Sequence, residues 1–344
     1  MQTYNLNIQS CAPLITPRQL KAKLPINSAL EERVLRWRKT IENILDGTDT
    51  RKIFIIGPCS IHDIQEAREY AVRLKSLADK VQDKISIVIR AYFEKPITGP
   101  DWKGLLNDPD LNETYNIEKG VSLAREFLLF LAETGIPAAT EALDPLIPPY
   151  YSDLITYSSI GARTIASQIH KDMASGLSAP VGLKNTEEGD IEKPISGISY
   201  ICRPHHFLGQ DQEGRVCVVH TRGNLYGHLV LRGGRTPNYD AVSVRRAHES
   251  LLAKKVRGSI VIDCSHGNSG KDYRYQPDVL RHVVDQMRNS HNYIVGAMLE
   301  SNLLEGNQKF VPGTKPEQGI SITDSCISFK TTEQIVLEAY HLLP

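Results

Sequence analysis

Ile53-Phe54-Ile55-Ile56, followed at once by Gly57-Pro58-Cys59-Ser60, is the stretch on which the fold turns. Four apolar residues in a row, without polar alternation, predict a strand buried on both faces, as in parallel sheets. A dinucleotide-binding fold would place a G-x-G-x-x-G phosphate loop directly after such a first strand. Here that position holds one glycine, then proline and cysteine, which argues against an open, doubly wound nucleotide fold.

Outward from this strand, short apolar runs alternate with helical patterns. Asp63, with Glu66 three residues later, predicts the start of a helix reaching about Asp79. Ile85 to Arg90 predicts the second strand, and Ile117 to Thr134 a helix closed by Gly135. Further strands are predicted near Ala138, Ile160, Val181, Leu229, Ile260 and Ile294, with helices over 150–157, 166–175, 240–255, 276–289 and 332–342. The stretch 188–201 is a poor helix, because Pro194 and Gly197 interrupt it. Arg215-Val216-Cys217-Val218-Val219 predicts one strand of a hairpin inserted at about 204–222, before the sixth barrel strand. Eight strands, each followed by a helix, specify an α/β fold of the closed (β/α)8 TIM-barrel type over residues 48–344.

Residues 1–47 form an N-terminal extension. Ser28-Ala29-Leu30-Glu31 reads as a capping box, and Leu30, Val34, Trp37, Ile41 and Ile44 make one apolar helical stripe before Gly47. This helix either plugs one end of the barrel or packs on a partner subunit, and the pattern does not choose.

Composition narrows the function classes. Lysine plus arginine and aspartate plus glutamate each number 40, so the formal net charge is zero. A neutral chain without a basic block gives no support to nucleic acid or membrane-surface binding. No apolar run approaches the ~18 residues that span a bilayer, and Met1-Gln2-Thr3-Tyr4-Asn5 lacks the basic and apolar regions of a signal peptide. Cys11, Cys59, Cys202, Cys217, Cys264 and Cys326 show no CxxC spacing and read as free thiols of a reducing cytoplasm.

In such barrels the C-terminal strand ends and the loops after them build the active site. Those ends carry Arg90 and Lys95, Glu141, Arg163, Lys184 and Arg232 before Gly233-Gly234. One cation at a strand end is usually a solvated rim residue. Several at one mouth repel unless anions compensate, and arginine forks suit carboxylate and phosphate. The pattern points to a small ligand with two anionic groups. Cys59, His266, Glu300 and Asp324 form a second set, of sulfur, imidazole and carboxylate donors suited to a divalent transition metal. Taken singly, Cys59 also reads as a buried thiol and His266 as a hydrogen-bonded loop residue, and no local spacing decides.

At these residues the chain resembles a known family. Gly57-Pro58-Cys59-Ser60-Ile61-His62, Lys95-Pro96-x-Thr98, Trp102-Lys103-Gly104-Leu105 and Gly161-Ala162-Arg163-Thr164 are similar to blocks of the type I 3-deoxy-D-arabino-heptulosonate 7-phosphate (DAHP) synthases. So are Leu231-Arg232-Gly233-Gly234, Ser265-His266-x-Asn268-Ser269, Leu304-Glu305-Gly306-Asn307-Gln308 and Ser321-Ile322-Thr323-Asp324. The resemblance spans nearly the whole chain. It implies condensation of phosphoenolpyruvate with erythrose 4-phosphate, releasing phosphate, at the first step of the shikimate and chorismate pathway to aromatic amino acids. It implies one divalent metal (Mn2+ foremost, with Fe2+, Co2+ or Zn2+ as alternatives) on Cys59, His266, Glu300 and Asp324. The phosphoenolpyruvate pocket it implies is Arg90, Lys95, Arg163, Lys184 and Arg232, assisted by Glu141 and the Ala162 N–H, with Pro96, Thr98 and Asp324 toward the acceptor. Lys95, or a metal-bound water and His266, would handle the protons, a choice that stays open, and Cys59 counts with them as catalytic. A homodimer or homotetramer and an aromatic amino acid effector, bound between the N-terminal segment, the Pro148 loop, the Ser178 region and the hairpin, are implied too.

The chain departs from the family pattern at one telling place. The Lys-Pro-Arg-Thr segment that holds the acceptor sugar has Ile97 where the phosphate-binding arginine stands, and the following Gly99-Pro100-Asp101 brings an acid close. Losing a charge-assisted hydrogen bond typically costs ~1.5–3 kcal/mol. Either Arg203, Lys103 or Lys271 supplies the missing charge, or the same chemistry acts on a different aldehyde. A third reading, from another class, is a non-catalytic metabolite sensor, which the complete set of ligands and cations disfavours. Ala142, Thr186, Pro149 and Gly209 are smaller departures.

Overall fold

A computed structural model describes residues 3–97, 99, 101–289 and 293–344. The chain begins with helices α1 (Pro17–Lys23) and α2 (Ser28–Asp46). Strand–helix units follow: β1 (Lys52–Gly57) and α3 (Ile64–Val81), β2 (Ile85–Arg90) and α4 (Ile117–Thr134), β3 (Ala138–Glu141) and α5 (Pro148–Tyr151). Next come β4 (Ile155–Ile160) and α6 (Gln168–Gly176), then β5 (Val181–Lys184) and α7 (Glu192–Ile201). An antiparallel hairpin, β6 (His206–Gln210) and β7 (Val216–His220), precedes β8 (Gly227–Leu231) and α8 (Ala241–Ala253). The last units are β9 (Ile260–Asp263) and α9 (Gln276–Arg288), β10 (Ile294–Asn302), the two-residue β11 (Ile327–Ser328), and α10 (Phe329–Leu342).

Among the described residues, β1, β2, β3, β4, β5, β8, β9 and β10 pair in parallel in that order, and β10 pairs back onto β1. This is the closed eight-stranded barrel expected from the apolar runs. The seam runs in register from Ile53 opposite Gly296 to Gly57 opposite Glu300. A Cβ at Gly296 would overlap the Ile53 carbonyl, so the closing strand needs glycine there.

The two faces of the first strand enter two cores. Ile53 and Ile55 point inward with Val88, Ala139, Tyr157, Val230, Val261 and Met298. Phe54 and Ile56 point outward with Ile87 and Ile89, under the helices. Ile41, Ile44 and Leu45 of α2 belong to the inward cluster, and Ser259, just before β9, donates to the Leu45 carbonyl. Helix α2 therefore closes the barrel end where the strands begin, leaving the opposite end for ligands. Gly47 ends it in the left-handed conformation, φ 75°.

Three local expectations are corrected. The cap of α2 is Asn27, whose side chain accepts from Leu30 N; Ser28 is already helical. The capping box lies instead at Thr16 and Gln19, before α1. The helix expected over 150–157 is only α5 and a 3-10 turn, Ser152–Leu154, because Ile155 to Ile160 pair between β3 and β5 and are fully buried. The segment 188–201 does contain a regular helix, α7. Pro194 lies in its first turn, where an N–H has no helical partner to lose. Gly197 lets α7 approach β5, since a Cβ there would sit 2.8 Å from Leu183 Cδ2.

Among the described residues, no helix is long and apolar enough to cross a membrane.

Candidate active site

The open end of the barrel holds a cavity of about 280 Å3. Register brings residues from all around the ring to it. Arg90 ends β2, Glu141 ends β3, Lys184 ends β5, and Glu300 stands in β10. Ala162 and Arg163 follow β4, Arg232 follows β8, His266 follows β9, and Lys95, Pro96 and Asp324 come in on loops. Of the expected site residues, Cys59 lies buried behind the wall, and Thr98 falls outside the described residues.

Carboxylates partly neutralise the crowded cations. Arg90 Nη2 donates to Glu300 Oε1 at 3.0 Å, with both side chains buried. Lys184 Nζ lies 3.4 Å from Asp263 Oδ2 and 3.9 Å from Glu141 Oε2. Arg163 is more exposed than the others, paired with Glu187 at 3.2 Å and donating to the Pro96 carbonyl at 2.7 Å. Among the described residues Arg232 and Lys271 make no ion pair, and buried Arg90 Nη1 has no hydrogen-bond partner. Unsatisfied buried donors are costly, so this surplus marks where an anion would be welcome.

The sulfur, nitrogen and oxygen donors gather on one side of the cavity. Ligand atoms of Cys59, Glu300 and Asp324 all lie within 4.8 Å of one another. His266 Nε2 stands 3.7 Å from Glu300 Oε1. Its Nδ1 faces Asp263 Oδ2 at 3.0 Å and Ser265 Oγ at 2.7 Å. With the ring proton shared on that side, the Nε2 lone pair faces the cluster, an orientation that outer-sphere carboxylates commonly impose on metal-binding imidazoles. One thiol and two carboxylates thus converge, while the His266 imidazole lies outside that group and faces it through Glu300; such donor types suit a divalent transition metal.

Electrostatics follow from the same neighbours. Burial, reinforced by Glu300, pushes the Cys59 thiol up to about 12. Lys95 Nζ lies 3.0 Å from Cys59 Sγ; burial disfavours its charge, but Cys59, Glu300 and Asp324 outweigh that and hold it above its usual value. Burial would raise Asp263, yet His266, Lys184 and Arg90 hold its carboxyl well below the usual range.

Several contributors escaped the sequence reading. Asp263 is fully buried and orients both Lys184 and His266. A buried acid ending a barrel strand was the available signal. Gln276 brackets Glu300, accepting from its N and donating to its carbonyl. The Tyr92 ring lies 4.1 Å from the Arg90 guanidinium and 5.7 Å from Lys184 Nζ. Nothing in the residue order marks Gln276 or Tyr92.

Two outer clefts, of about 800 and 500 Å3, continue from the inner cavity, and Ile97 and Lys103 line both. Glu94 faces the larger one, 6% exposed, and its Oε2 has no hydrogen-bond partner. Burial, with Asp144 and Glu141 nearby, pushes its carboxyl up to about 8 from an ordinary 4.5. The folded state thus binds a proton that the unfolded chain releases earlier. That stabilisation is complete below pH 4.5 and is lost as pH rises through about 8. Glu94→Gln, neutral throughout, is expected to flatten the decline in this window, measured by chemical denaturation at a series of pH values. An equally steep decline in the variant would dispose of the assignment.

On one flank the N-terminal segment, the Pro148 loop and the hairpin meet. Tyr150 Oη donates to the Ile15 carbonyl, Gln210 Nε2 to that of Leu146, and Arg18 N to that of Gln212. Pro148, Leu177, Ser178 and Ala179 line a small cavity that reaches inward to Glu94 and Thr140, and no residue of the N-terminal segment or the hairpin is among its described lining.

Comparison with known proteins gives a consistent picture. Residues 24–337 match the model of the DAHP synthetase I family. The chain is 45% identical over 337 residues to the Tyr-sensitive phospho-2-dehydro-3-deoxyheptonate aldolase of Escherichia coli, covering 98% of this chain and 95% of that protein. It is 44% identical over 335 residues to the Trp-sensitive enzyme of Enterobacter agglomerans, covering 97% and 96%. The structure of phospho-2-dehydro-3-deoxyheptonate aldolase from Francisella tularensis superposes with a TM-score of 0.95 at 42% identity, covering 98% of both chains.

Proposed function

The chain belongs to the DAHP synthetase I family, and from that premise we infer that it is a carbon–carbon bond-forming transferase. It condenses phosphoenolpyruvate with erythrose 4-phosphate to give 3-deoxy-D-arabino-heptulosonate 7-phosphate and inorganic phosphate, the first step of the shikimate pathway. The observation that carries this reading is a multi-cation pocket with the Cys59, Glu300 and Asp324 donors gathered at its wall and His266 beside Glu300.

In this reading Arg90, Lys184 and Arg232, with Arg163 at the rim, hold the carboxylate and phosphate of phosphoenolpyruvate, and the Ala162 N–H and Glu141 complete its cradle. The charges fix the enol plane, so that C3 faces the acceptor carbonyl and the reaction proceeds from a pre-oriented pair. A bond forms from C3 to the aldehyde carbon, and the carbonyl oxygen must gain a proton. Lys95 Nζ, held protonated by its neighbours, is a suitable donor. Water then adds at C2, the C2–O bond to the phosphate breaks with its electrons leaving on phosphate, and the added oxygen becomes the ketone as its two protons pass to Lys95 Nζ and to the departing phosphate. Cys59, His266, Glu300 and Asp324 would hold one divalent cation, Mn2+ first among Fe2+, Co2+ and Zn2+. Bound there, it would supply Lewis acidity toward the acceptor carbonyl.

The same reading assigns residues 48–344 to the catalytic barrel and 1–47 to an extension. It places the protein in the cytoplasm as a homodimer or homotetramer, with an aromatic amino acid as effector at the flank where hairpin and Pro148 loop meet. The test is phosphate release from phosphoenolpyruvate with a panel of aldehydes, with and without chelator. Turnover with erythrose 4-phosphate that chelation stops and Mn2+ restores is the expected result. Release insensitive to chelation, or none with any aldehyde, would overturn it.

A further inference from the structure

The acceptor's phosphate lacks its arginine at position 97, and three cations were candidates to replace it. Their places in the fold differ sharply. Arg203 follows the C-terminal end of α7, whose opposite end, at Lys193, lines the larger outer cleft. Ten helical residues span about 15 Å, so Arg203 belongs to the far end of the barrel wall. Lys271 lines the inner cavity beside His266 and Asp324, and the walls of the two outer clefts, among the described residues, do not include it. Lys103 lines both clefts that Ile97 lines.

The backbone fixes Lys103 next to the acceptor segment. Lys95 N donates to the Lys103 carbonyl at 3.1 Å, and Leu106 N to that of Phe93 at 3.1 Å. Gly104, at φ 102°, allows this contact, since a Cβ would overlap the Phe93 carbonyl. Trp102 is buried on the preceding side, its Nε1 donating to the Asp108 carbonyl. Anchored on both sides, Lys103 itself stays exposed to the clefts.

Its ammonium is also uncommitted. Arg163 is paired with Glu187, and Lys193 with Asp190. Among the described residues Lys103 Nζ meets no carboxylate within 4.0 Å, and lies 5.7 Å from the Tyr115 ring centroid. Such a contact steadies a cation without neutralising it. Lys309 is another cation without an ion pair, but it lines only the smaller cleft.

We propose that Lys103 is the specificity-determining cation for the acceptor, holding the phosphate of erythrose 4-phosphate in place of the arginine that Ile97 displaces. This rests on the DAHP synthase reading and concerns only its acceptor half. Lysine offers a point charge rather than a fork, so it selects for phosphate without bidentate geometry.

The test is steady-state kinetics of the metal-loaded protein with erythrose 4-phosphate and with unphosphorylated erythrose. Lys103→Met is expected to raise KM for erythrose 4-phosphate about ten- to a hundredfold, the size of one charge-assisted hydrogen bond. Its kcat/KM with erythrose and its KM for phosphoenolpyruvate should stay unchanged. Lys103→Arg should keep most of the affinity, Ile97→Arg should restore it to Lys103→Met, and Lys309→Met should behave as the parent. An unchanged KM in Lys103→Met, or an equal loss with erythrose, overturns the role of Lys103 while the enzyme assignment stands. A parent protein that uses erythrose as well as erythrose 4-phosphate overturns the acceptor assignment itself.

Discussion

Cys59→Ala is expected to lose tight binding of a divalent transition metal and to lower kcat/KM by more than about a hundredfold, the upper range for losing merely an outer-sphere partner. Cys59 contributes the soft donor of a cluster otherwise made of carboxylates and imidazole. Without it the remaining groups are harder donors, and Lys95 Nζ loses the sulfur that it contacts at 3.0 Å. The fold should survive, because deleting one small buried group leaves a small cavity costing about 1 kcal/mol. Calorimetric titration with Mn2+ or Zn2+ after chelator treatment, alongside circular dichroism, separates the two effects. Unchanged metal affinity in a folded Cys59→Ala protein would remove Cys59 from the ligand set.

Arg90→Met should act on stability and binding together. Arg90 and Glu300 are 1% and 2% exposed and bonded to each other. Removing the guanidinium strands the Glu300 carboxylate in the barrel mouth, a change that typically costs about 3–5 kcal/mol. It also removes the buried Nη1 that has no partner within the described chain and is free for a substrate anion. The double variant Arg90→Met with Glu300→Gln, which removes both charges, should recover much of the stability and none of the activity. Denaturant midpoints for the parent, both single variants and the double variant form the cycle. If the double variant is as unstable as the sum of the singles, the pair is not coupled and the stability prediction fails.

Helix and strand identity was largely legible because it depends on near neighbours. The run Ile53–Ile56 reads as a strand by side-chain chemistry alone, and its alternate residues do fill inner and outer cores. The failures are also local. Asn27 and Ser28 both carry capping oxygens, and only backbone geometry selects Asn27. The stretch from Tyr150 to Tyr157 reads as either element, and pairing of Ile155 onward with β3 made its last three residues strand, leaving one short helix and a 3-10 turn before them. Pro194 and Gly197, read as helix breakers, sit where one loses no hydrogen bond and the other permits close packing on Leu183.

The site divides along the same line. Residue types at strand ends and in the loops after them marked Arg90, Glu141, Lys184 and Glu300, and also Cys59, His266 and Asp324, as facing one mouth, and family resemblance turned the donors among them into a ligand set. Asp263, Gln276 and Tyr92 were not marked, since their importance lies in which atoms they touch across the ring.

The order of residues thus determined by itself a parallel barrel with cations and metal-type donors at one end, and the family resemblance marked Ile97 as its departure on the acceptor side. Tertiary structure alone decided that α2 plugs the other end, that Asp263 aims His266, and that Lys103 rather than Arg203 or Lys271 lines both clefts that Ile97 lines. The reason is physical. Periodicity and capping act over a few residues and are written in the chain, whereas ion pairs between residues hundreds of positions apart, such as Arg90 and Glu300, depend on barrel register. That register is set only when β10 closes on β1, placing Gly57 opposite Glu300.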